Sequence, residues 1–314
     1  MNQRDLRPPF LLLLVVSLLA FPACDAGGSN GSSNGNDGDD NATTRIAIIT
    51  DRDGETNIYT ITPDGSDPKQ ITDNPASDNA PTWKPDGSRI AFTSDRDGDS
   101  TTDQDLYTIK PDGSDLTRVT NNAHNVQHPA WKPDGSRIAF DTDRDGNTNI
   151  YTIKPKGTGL TQITSASGSD QHPSWKPDGS RIAFQTHRDS DGIPNNDDIY
   201  TIAPDGSNPT PVFATDRFSG DPSWSPDGST IAYSANNVFT IKPDGTGKTQ
   251  VTSGRGGGPS WKPDGSRLAF PADRDDDGTN KDPNIYTIKP DGSDLTQVTN
   301  ESGNGFAFFP AWSP

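Results

Sequence analysis

The ten residues WKPDGSRIAF occupy positions 131–140, and the same ten letters stand at 83–92 and at 175–184. Two close copies follow, WSPDGSTIAY at 224–233 and WKPDGSRLAF at 261–270, and the final letters AWSP begin a sixth. A second phrase, IYTI or its variants LYTI and VFTI, also occurs six times. The sequence is therefore built from six copies of one unit, which is typical of a repeat architecture.

Each unit carries four short strand signals separated by turns. The first ends in Pro, a small residue and Trp, and the others read RIAF, IYTI and LTQVT or close variants. Their β-branched and aromatic residues favour strands of about four to six residues, and Pro-Asp-Gly is typical of tight turns. Four antiparallel strands repeated six times predict an all-β fold, a six-bladed β-propeller of four-stranded antiparallel blades. Trp and Ile should then pack between neighbouring blades.

The two ends of the repeat region complement each other. The region starts at Arg45 with the second-strand text RIAIITDRDG and ends at 309–314 with the first-strand text FPAWSP. We expect the C-terminal strand to pair with the N-terminal strands and to close the ring, because a closed ring leaves no free face between blades.

The N-terminus has the features of an export signal. Arg4 and Arg7 precede the run FLLLLVVSLLAF at 10–21, which is too short to span a bilayer. We therefore assign residues 1–23 to a signal peptide.

The single cysteine, Cys24, directly follows this segment and has no second cysteine to pair with. The letters FPAC resemble the end of a bacterial lipoprotein signal, which implies that Cys24 is lipidated; the alternative is ordinary cleavage beside an incidental cysteine. Residues 24–44 then comprise the lipidated cysteine and a flexible Gly/Ser/Asn/Asp tether, and residues 45–314 form the propeller.

Composition limits the partners. The formal net charge is −17 and the mean hydropathy is −0.83. A strongly acidic chain is a poor ligand for nucleic acid, since phosphate contacts require Lys and Arg. The charge suits cations or a basic partner, or simply keeps the protein soluble.

The repeated letters W-[KS]-P-D-G-S-R-I-A-F, DRDG and IYTIKPDG resemble the WD40-like PD40 repeat of TolB-type propellers across residues 45–314. The resemblance implies a periplasmic or surface propeller that binds another protein, part of which enters the channel mouth. TolB proteins carry an α/β domain before the propeller, where this chain shows a signal and a tether. We therefore do not expect the full role of TolB to carry over.

The connections between strands differ in how much they vary. Those containing Pro-Asp-Gly have one length in every complete copy, whereas the connections on the opposite face differ from unit to unit. Because loops on a rigid scaffold commonly carry function, we expect the variable face to bind the partner. The alternative is neutral drift of loop length.

The variable face is also acidic. Its short DRDG loops are typical of hairpin turns in which Asp accepts backbone N–H bonds and Gly adopts positive φ. Alternating carboxylates followed by Gly also suit Ca²⁺, and the loop at 187–198 resembles the calcium loops of thrombospondin type 3 repeats. We propose tentative calcium ligands in the two long loops: Asp189, Asp191, Asp198, Asp273, Asp275 and Asp277.

A second constellation lies three residues before each Trp, where the first strand should enter beside the central channel. Its members are Ala80, His128, His172, Asp221, Gly258 and Phe309. We expect His128, His172 and Asp221 to converge at the channel mouth, with Gln127 and Gln171 beside them to bind a partner peptide. Two His and a carboxylate can also hold a transition metal, as in oligogalacturonate lyases, which these residues resemble.

The sequence favours an exported, monomeric binding module, held on a bacterial membrane by a lipid anchor alone, in the periplasm or at the cell surface. Its partner would be a protein or peptide of the cell envelope, with no nucleic acid and with no cofactor beyond Ca²⁺. Two alternatives remain: a metal-dependent carbohydrate-active enzyme and a calcium-stiffened surface protein. No nucleophile elbow or nucleotide-binding glycine motif is present, so whether the protein is an enzyme stays undecided.

Overall fold

The computed structural model describes residues 44–314 except 53, 98–102, 122–123, 188–196, 214–218, 274–282 and 301–305. The predicted signal peptide, the tether and Cys24 lie outside the described residues. The described chain forms 24 strands in six separate four-stranded antiparallel sheets. This confirms the six-bladed β-propeller.

The strands take four positions in each blade, from the channel outward. Each innermost strand ends at a copy of the repeated Trp. These strands are β4 (Asp78–Trp83), β8 (Val126–Trp131), β12 (Asp170–Trp175), β16 (Gly220–Trp224), β20 (Ser260–Trp261) and β24 (Ala307–Trp312). The second strands are β1 (Ile46–Thr50), β5 (Ile90–Ser94), β9 (Ile138–Thr142), β13 (Ile182–Thr186), β17 (Ile231–Ala235) and β21 (Leu268–Ala272).

The two outer positions complete each blade. The third strands are β2 (Asn57–Ile61), β6 (Asp105–Ile109), β10 (Asn149–Ile153), β14 (Asp198–Ile202), β18 (Asn237–Ile241) and β22 (Asn284–Ile288). The fourth strands are β3 (Lys69–Gln70), β7 (Thr117–Arg118), β11 (Thr161–Gln162), β15 (Thr210–Phe213), β19 (Thr249–Gln250) and β23 (Thr296–Gln297).

The fourth strands are shorter than the sequence pattern predicts, since five of the six span two residues. The reason is visible in the third blade, where the Ile163 and Thr164 N–H groups both donate to the Ile150 carbonyl. The Thr164 hydroxyl then accepts the Ile150 N–H at 2.9 Å. A side chain thus replaces the next backbone bond of the ladder and ends the regular pairing.

The hydrophobic core is divided among the six interfaces between blades. Six clusters of buried residues are present, and each combines side chains of two neighbouring blades. In one of them Ala139 and Ile150 of one blade pack against Trp175, Phe184 and others of the next. The prediction that Trp and Ile pack between blades is confirmed, and it explains how a hydrophilic chain builds a core from short strands.

Ring closure follows the complementary ends of the repeat region. β24 pairs antiparallel with β1, with Ile46 opposite Trp312 and Thr50 opposite Ala307. The Arg45 N–H donates to the Ser313 hydroxyl at 2.8 Å, and the Ser313 N–H donates back to the Arg45 carbonyl at 2.7 Å. One sheet therefore contains both ends of the described chain.

The Pro-Asp-Gly connections form tight turns on one face of the propeller. In the turn at residues 84–87, the Gly87 N–H donates to the Lys84 carbonyl at 2.8 Å, and Gly87 has φ of +70°, which favours glycine. No helix that could cross a bilayer occurs among the described residues.

Candidate functional site

The six residues that directly precede the proline of the repeated Pro-x-Trp phrase share an unusual backbone. All six have positive φ, between +31° and +53°: Ala80, His128, His172, Asp221, Gly258 and Phe309. Five of them are not glycine, and a left-handed conformation costs such residues about 1–2 kcal/mol each. Strain that recurs at one position in every blade must be imposed by the fold, and such strain commonly marks functional sites.

A β-bulge accompanies this backbone. In the third blade, the register between β8 and β9 shifts by one residue between Gln127 and Ala130, and equivalent shifts occur in four other blades. The extra residue of each bulge is one of the six left-handed positions or the proline that follows it. Bulges re-aim side chains near functional sites, and here they place the left-handed residues of five blades around one space.

That space is a cavity on the propeller axis, which we call the channel mouth. Its volume is about 290 Å³, and it is lined by the six left-handed residues, the prolines that follow them, and other residues of the innermost strands. The structure places His128, His172 and Asp221 around this cavity, and their binding of a partner stays a prediction. The prolines and small residues of the wall recur in every blade, whereas the six left-handed residues differ in chemistry.

The two histidines form a stacked pair at this mouth. Their ring centroids are 3.6 Å apart with an interplanar angle of 25°. Nδ1 of His128 lies 2.9 Å from Oδ1 of Asp141, and the same oxygen accepts the backbone N–H of His172 at 3.1 Å. One buried carboxylate of the third blade thus fixes a histidine side chain of its own blade and the backbone of the next.

Asp221, two blades further on, makes a similar set of contacts. Its Oδ1 lies 2.7 Å from Nδ1 of His172, and its Oδ2 accepts the Ser234 hydroxyl at 2.8 Å and the Gly258 N–H at 3.4 Å. Four consecutive blades are therefore linked by two carboxylates. Both histidines keep Nε2 accessible, since neither atom has a hydrogen-bond partner or is a buried unpaired atom in the described part of the chain.

The electrostatics of the pair favour charge. Burial alone would lower the pKa of His172, but the Asp221 carboxylate raises that pKa above its ordinary value. Burial alone would likewise raise the pKa of Asp141, yet the charge of His128 and its hydrogen bond hold it below the usual range. The pKa of Asp221 is lowered in the same way by His172. The neighbouring carboxylates thus favour the protonated form of His172 at the mouth of an otherwise acidic protein.

The other side of the mouth is apolar. Phe309 is 37% exposed. Its ring centroid lies 6.2 Å from that of His128 and 6.4 Å from that of Phe308. Ala80 follows in the next blade, and Gly258 leaves open space where a side chain would project. The mouth thus combines imidazole donors with an exposed aromatic ring.

Gln127 and Gln171 lie one residue before the histidines in β8 and β12 and are partly exposed. They stand opposite Asp141 and Gln185 in the strand register and are not among the residues that line the cavity. Their contact with a partner peptide stays a prediction.

The short acidic loops are hairpin turns. Gly54 and Gly146 have φ of +97° and +98° and donate to the carbonyls of Asp51 and Asp143. The side chains of these aspartates accept backbone N–H bonds from the neighbouring loop, for example from Phe306 to Asp51 at 2.9 Å. The hairpin interpretation is confirmed for both loops.

The arginine of the second DRDG loop ties its loop to the blade. Arg96 donates to both oxygens of Asp78, at 2.8 and 2.9 Å, and Asp78 is fully buried. The guanidinium also lies over the rings of Phe92 and Tyr107 at 5.2 and 5.1 Å. Charged residues of this loop therefore brace the fold.

The two long acidic loops fall largely outside the described residues, which include neither Asp189 and Asp191 nor Asp275 and Asp277. Asp198 is described, and it is the buried first residue of β14. Asp105 takes the same place in β6, where its carboxylate accepts the Thr120 hydroxyl at 2.7 Å. Asp273 is partly buried directly after β21. Calcium binding by the six aspartates stays a prediction.

The arrangement of the mouth bears on the metal alternative. Across the described segments, no group of three or more His, Cys, Asp or Glu residues is placed to hold a metal ion. His128, His172 and Asp221 instead form stacked and hydrogen-bonded pairs that occupy both Nδ1 atoms.

Sequence reasoning missed two members of the site. Asp141 stands in IAFDT, where other copies have the uncharged residues Thr93, Gln185 or Ser234; a charged side chain at this strand position was the available signal. Phe309 was aligned with the histidines but was not singled out, although a large apolar residue beside a channel entrance is itself informative.

Comparisons with known proteins agree with this architecture. The family model of the TolB β-propeller domain matches residues 39–128 and 118–314. No curated protein matches the sequence significantly.

Several solved structures are similar. TolB from Acinetobacter baumannii superposes with a TM-score of 0.72 and 21% identity, covering 87% of this chain and 67% of that one. A TolB candidate from Agrobacterium tumefaciens superposes with a TM-score of 0.66 and 18% identity, covering 87% of this chain and 100% of that one. An oligogalacturonate lyase in complex with manganese superposes with a TM-score of 0.53 and 16% identity, covering 82% of this chain and 73% of that one. Identities this low establish a shared fold, since propellers host many unrelated activities.

Proposed function

The chain belongs to the TolB β-propeller domain family, and from that premise we propose that it is a protein-binding module of the bacterial cell envelope. The proposed ligand is an extended segment of an envelope protein that enters the channel mouth. The proposed location is outside the cytoplasm, at a membrane to which the lipidated Cys24 anchors the propeller.

One observation carries the proposal. The left-handed position recurs in all six blades, and its side chains converge on one cavity while their chemistry differs from blade to blade. Repeated scaffold with varied residues at the point of convergence is what a recognition site requires, because the scaffold supplies rigidity and the variation supplies specificity.

The chemistry of the mouth suits a polypeptide. The Nε2 atoms of His128 and His172 can donate to carbonyl or carboxylate oxygens once the rings are protonated. Phe309 and Ala80 offer an apolar surface for a side chain of the same segment. An extended strand carries both features at short spacing, since its side chains alternate with backbone oxygens.

The N-terminal segment supports the location. Its apolar run and Cys24 have the order of a lipoprotein signal, and the Gly/Ser/Asn/Asp tether would allow a root-mean-square reach of roughly 25 Å as a random coil. Such a tether would let the channel mouth meet partners at a distance from the lipid surface.

The test is site-specific photo-crosslinking of the full chain in cells of the source organism. Benzoylphenylalanine replaces Phe309 in one variant and Leu116 in a control variant, because both residues are similarly exposed, at 37% and 44%, and Leu116 is absent from the cavity lining. We expect a discrete protein adduct at position 309, none at 116, and a several-fold weaker adduct when His172→Gln is added.

The outcomes separate the alternatives. Equal adducts at both positions, or none at 309, would contradict binding at the mouth. An adduct at 309 that disappears with a chelator and returns with Ca²⁺ would assign a functional role to the acidic loops. The metal-dependent enzyme makes a different prediction, a stoichiometric transition metal that stays with the purified protein.

A further inference from the structure

The face of the Pro-Asp-Gly turns carries a repeated cation site. In four blades a lysine follows the repeated Trp, and its ammonium pairs with the aspartate of the same turn, as in Lys132–Asp134 at 2.7 Å and Lys176–Asp178 at 2.6 Å. The Lys132 ammonium also lies over the ring of Trp175, at 5.9 Å from its centroid. Lys176 lies over Trp224 in the same way, at 6.0 Å. In these two blades the ammonium is thus held between a carboxylate of its own blade and an indole face of the next blade.

The fifth blade lacks this lysine. Ser225 takes its place, and the serine turns back into its own loop, where its hydroxyl lies 2.5 Å from Oδ1 of Asp227 and accepts the Thr230 N–H at 3.0 Å. The Asp227 carboxylate and the indole of Trp261 are both retained. Within the described chain, Asp227 has no ion-pair partner. We call this place, bounded by Ser225, Asp227 and Trp261, the lysine-free slot.

Burial of the tryptophans follows the presence of the lysine. The four tryptophans preceded in the ring by a lysine blade are 6–7% exposed: Trp131, Trp175, Trp224 and Trp312. Trp261, which follows Ser225, is more exposed, and so is Trp83, which follows Ser313. A partly exposed indole therefore marks each position where serine replaces lysine.

Distances at the turn glycines give the same result. A Cβ added to Gly179 or Gly228 would lie 3.2 Å from the Cε of Lys132 or Lys176, whereas at Gly265 the nearest atom would be Pro226 Cδ at 3.9 Å. The space left open is a cavity of about 520 Å³ whose walls include Asp227, Trp261 and Asp264.

The second serine position is less open. Ser313 bonds to Arg45 through both its N–H and its hydroxyl. Pro314 lies beside the neighbouring turn, with its Cγ 3.6 Å from the Cβ position of Gly87. The space next to Trp83 is thus partly filled.

We propose that the lysine-free slot binds a primary alkylammonium group, and specifically a lysine side chain of a partner polypeptide. The neighbouring blades show what fills the slot when the chain supplies it: an ammonium on an aliphatic stem, between a carboxylate and an indole ring. The slot keeps the carboxylate and the ring and lacks the cation. Asp264, which is paired with Lys262 at 2.8 Å, also lies in the wall.

The test is an NMR titration of the ¹⁵N-labelled full chain, which reports on the indole N–H groups of the tryptophans. The probes are n-butylammonium and Nα-acetyl-lysine N-methylamide, with n-butanol as the uncharged control. Trp261→Phe assigns the relevant signal by removing it. We expect Trp261 to respond to both cations with a dissociation constant of roughly 1–10 mM and to n-butanol at least tenfold more weakly.

Two variants exchange the slot between blades. Ser225→Lys restores the residue found in the other turns, so its own ammonium should fill the slot and weaken binding at Trp261 at least tenfold. Lys176→Ser should open an equivalent slot and make Trp224 respond. Both changes convert one existing turn of this protein into another, and the dispersion of the amide spectrum shows whether the fold is intact.

Several results would overturn the proposal. These are an equal response to n-butanol, unchanged binding in Ser225→Lys, and no response of Trp224 in Lys176→Ser. A response to n-butylammonium without one to the blocked lysine would overturn the assignment to a polypeptide. None of these results depends on the channel mouth, because no residue that lines its cavity also lines the cavity of the slot.

Discussion

Replacing Asp141 by Asn tests whether a buried carboxylate organises the channel mouth. Asp141 is fully buried, and its Oδ1 accepts hydrogen bonds from His128 Nδ1 at 2.9 Å and from the His172 backbone N–H at 3.1 Å. Asparagine has nearly the same shape but no charge. The substitution therefore removes the charge from two hydrogen bonds while it leaves the packing in place.

The expected loss follows from these contacts. A hydrogen bond to a charged group contributes about 1.5–3 kcal/mol and a neutral one about 0.5–1.5 kcal/mol, so each of the two bonds should weaken by about 1 kcal/mol. Oδ2 of Asp141 is buried and has no partner in the described part of the chain. An amide nitrogen placed there adds an unpaired donor, which brings the expected loss to about 2–4 kcal/mol at pH 7.

The difference should depend on pH in a defined direction. The charge of His128 holds the pKa of Asp141 below its ordinary value despite burial. A carboxylate whose pKa is lowered by folding stabilises the protein above its unfolded pKa of about 3.9, and that contribution is lost as the pH falls through the folded pKa. The gap between wild type and variant should shrink below about pH 4.

Urea unfolding followed by tryptophan fluorescence and near-ultraviolet circular dichroism measures this gap. The control is Thr142→Val at the next position, because the Thr142 hydroxyl is buried without a hydrogen-bond partner among the described residues; this change should be nearly neutral. The reasoning fails if Asp141→Asn loses less than about 0.5 kcal/mol at pH 7, below the range for even one such bond. It also fails if the gap persists unchanged at pH 3.

Three further predictions concern stability. Gly206→Ala should lower the free energy of unfolding by about 2–4 kcal/mol, because φ is +82° and the new Cβ would lie 2.8 Å from a carbonyl oxygen. The control Gly54→Ala has φ of +97° but open space around the new Cβ, so it should lose only the conformational part, about 1–2 kcal/mol. Equal urea midpoints of the two variants would refute the difference. Arg96→Met should lose about 3–5 kcal/mol, because the buried carboxylate of Asp78 is left without its cation, whereas the double variant with Asp78→Asn should recover part of that loss in a double-mutant cycle. The pKa of His172 is raised in the folded protein by a neighbouring carboxylate, so its contribution to stability is fully present below about pH 6.5 and is lost as the pH rises through the folded pKa. The stability advantage of wild type over His172→Gln should therefore fall by at most about 1.4 kcal/mol per pH unit. A constant advantage between pH 6 and 9 would contradict this.

Part of the channel mouth was accessible from the sequence. Because the Trp repeat aligns the blades, the residue three positions before each Trp must take an equivalent place, and this identified His128 and His172 as neighbours. The left-handed backbone was not predictable, since nothing in Gln-His-Pro requires a bulge until the strand must pair with β9 and still face the axis. The role of Asp141 also escaped, because it depends on contacts between two blades.

The amino-acid sequence alone determined the number of blades, their four-strand pattern, the tight turns and the closure of the ring by β24. These features repeat with fixed spacing, and each follows from local turn chemistry and from alternating side chains along a strand. Only the tertiary structure decided which contacts the varied residues of each copy make. It set which histidine pairs with which carboxylate. It also showed that Ser225 leaves an open slot beside Trp261, whereas Lys176 fills the equivalent space beside Trp224. The physical reason is that these contacts join residues of different blades, so their distances are set by the packing of the blades around the ring.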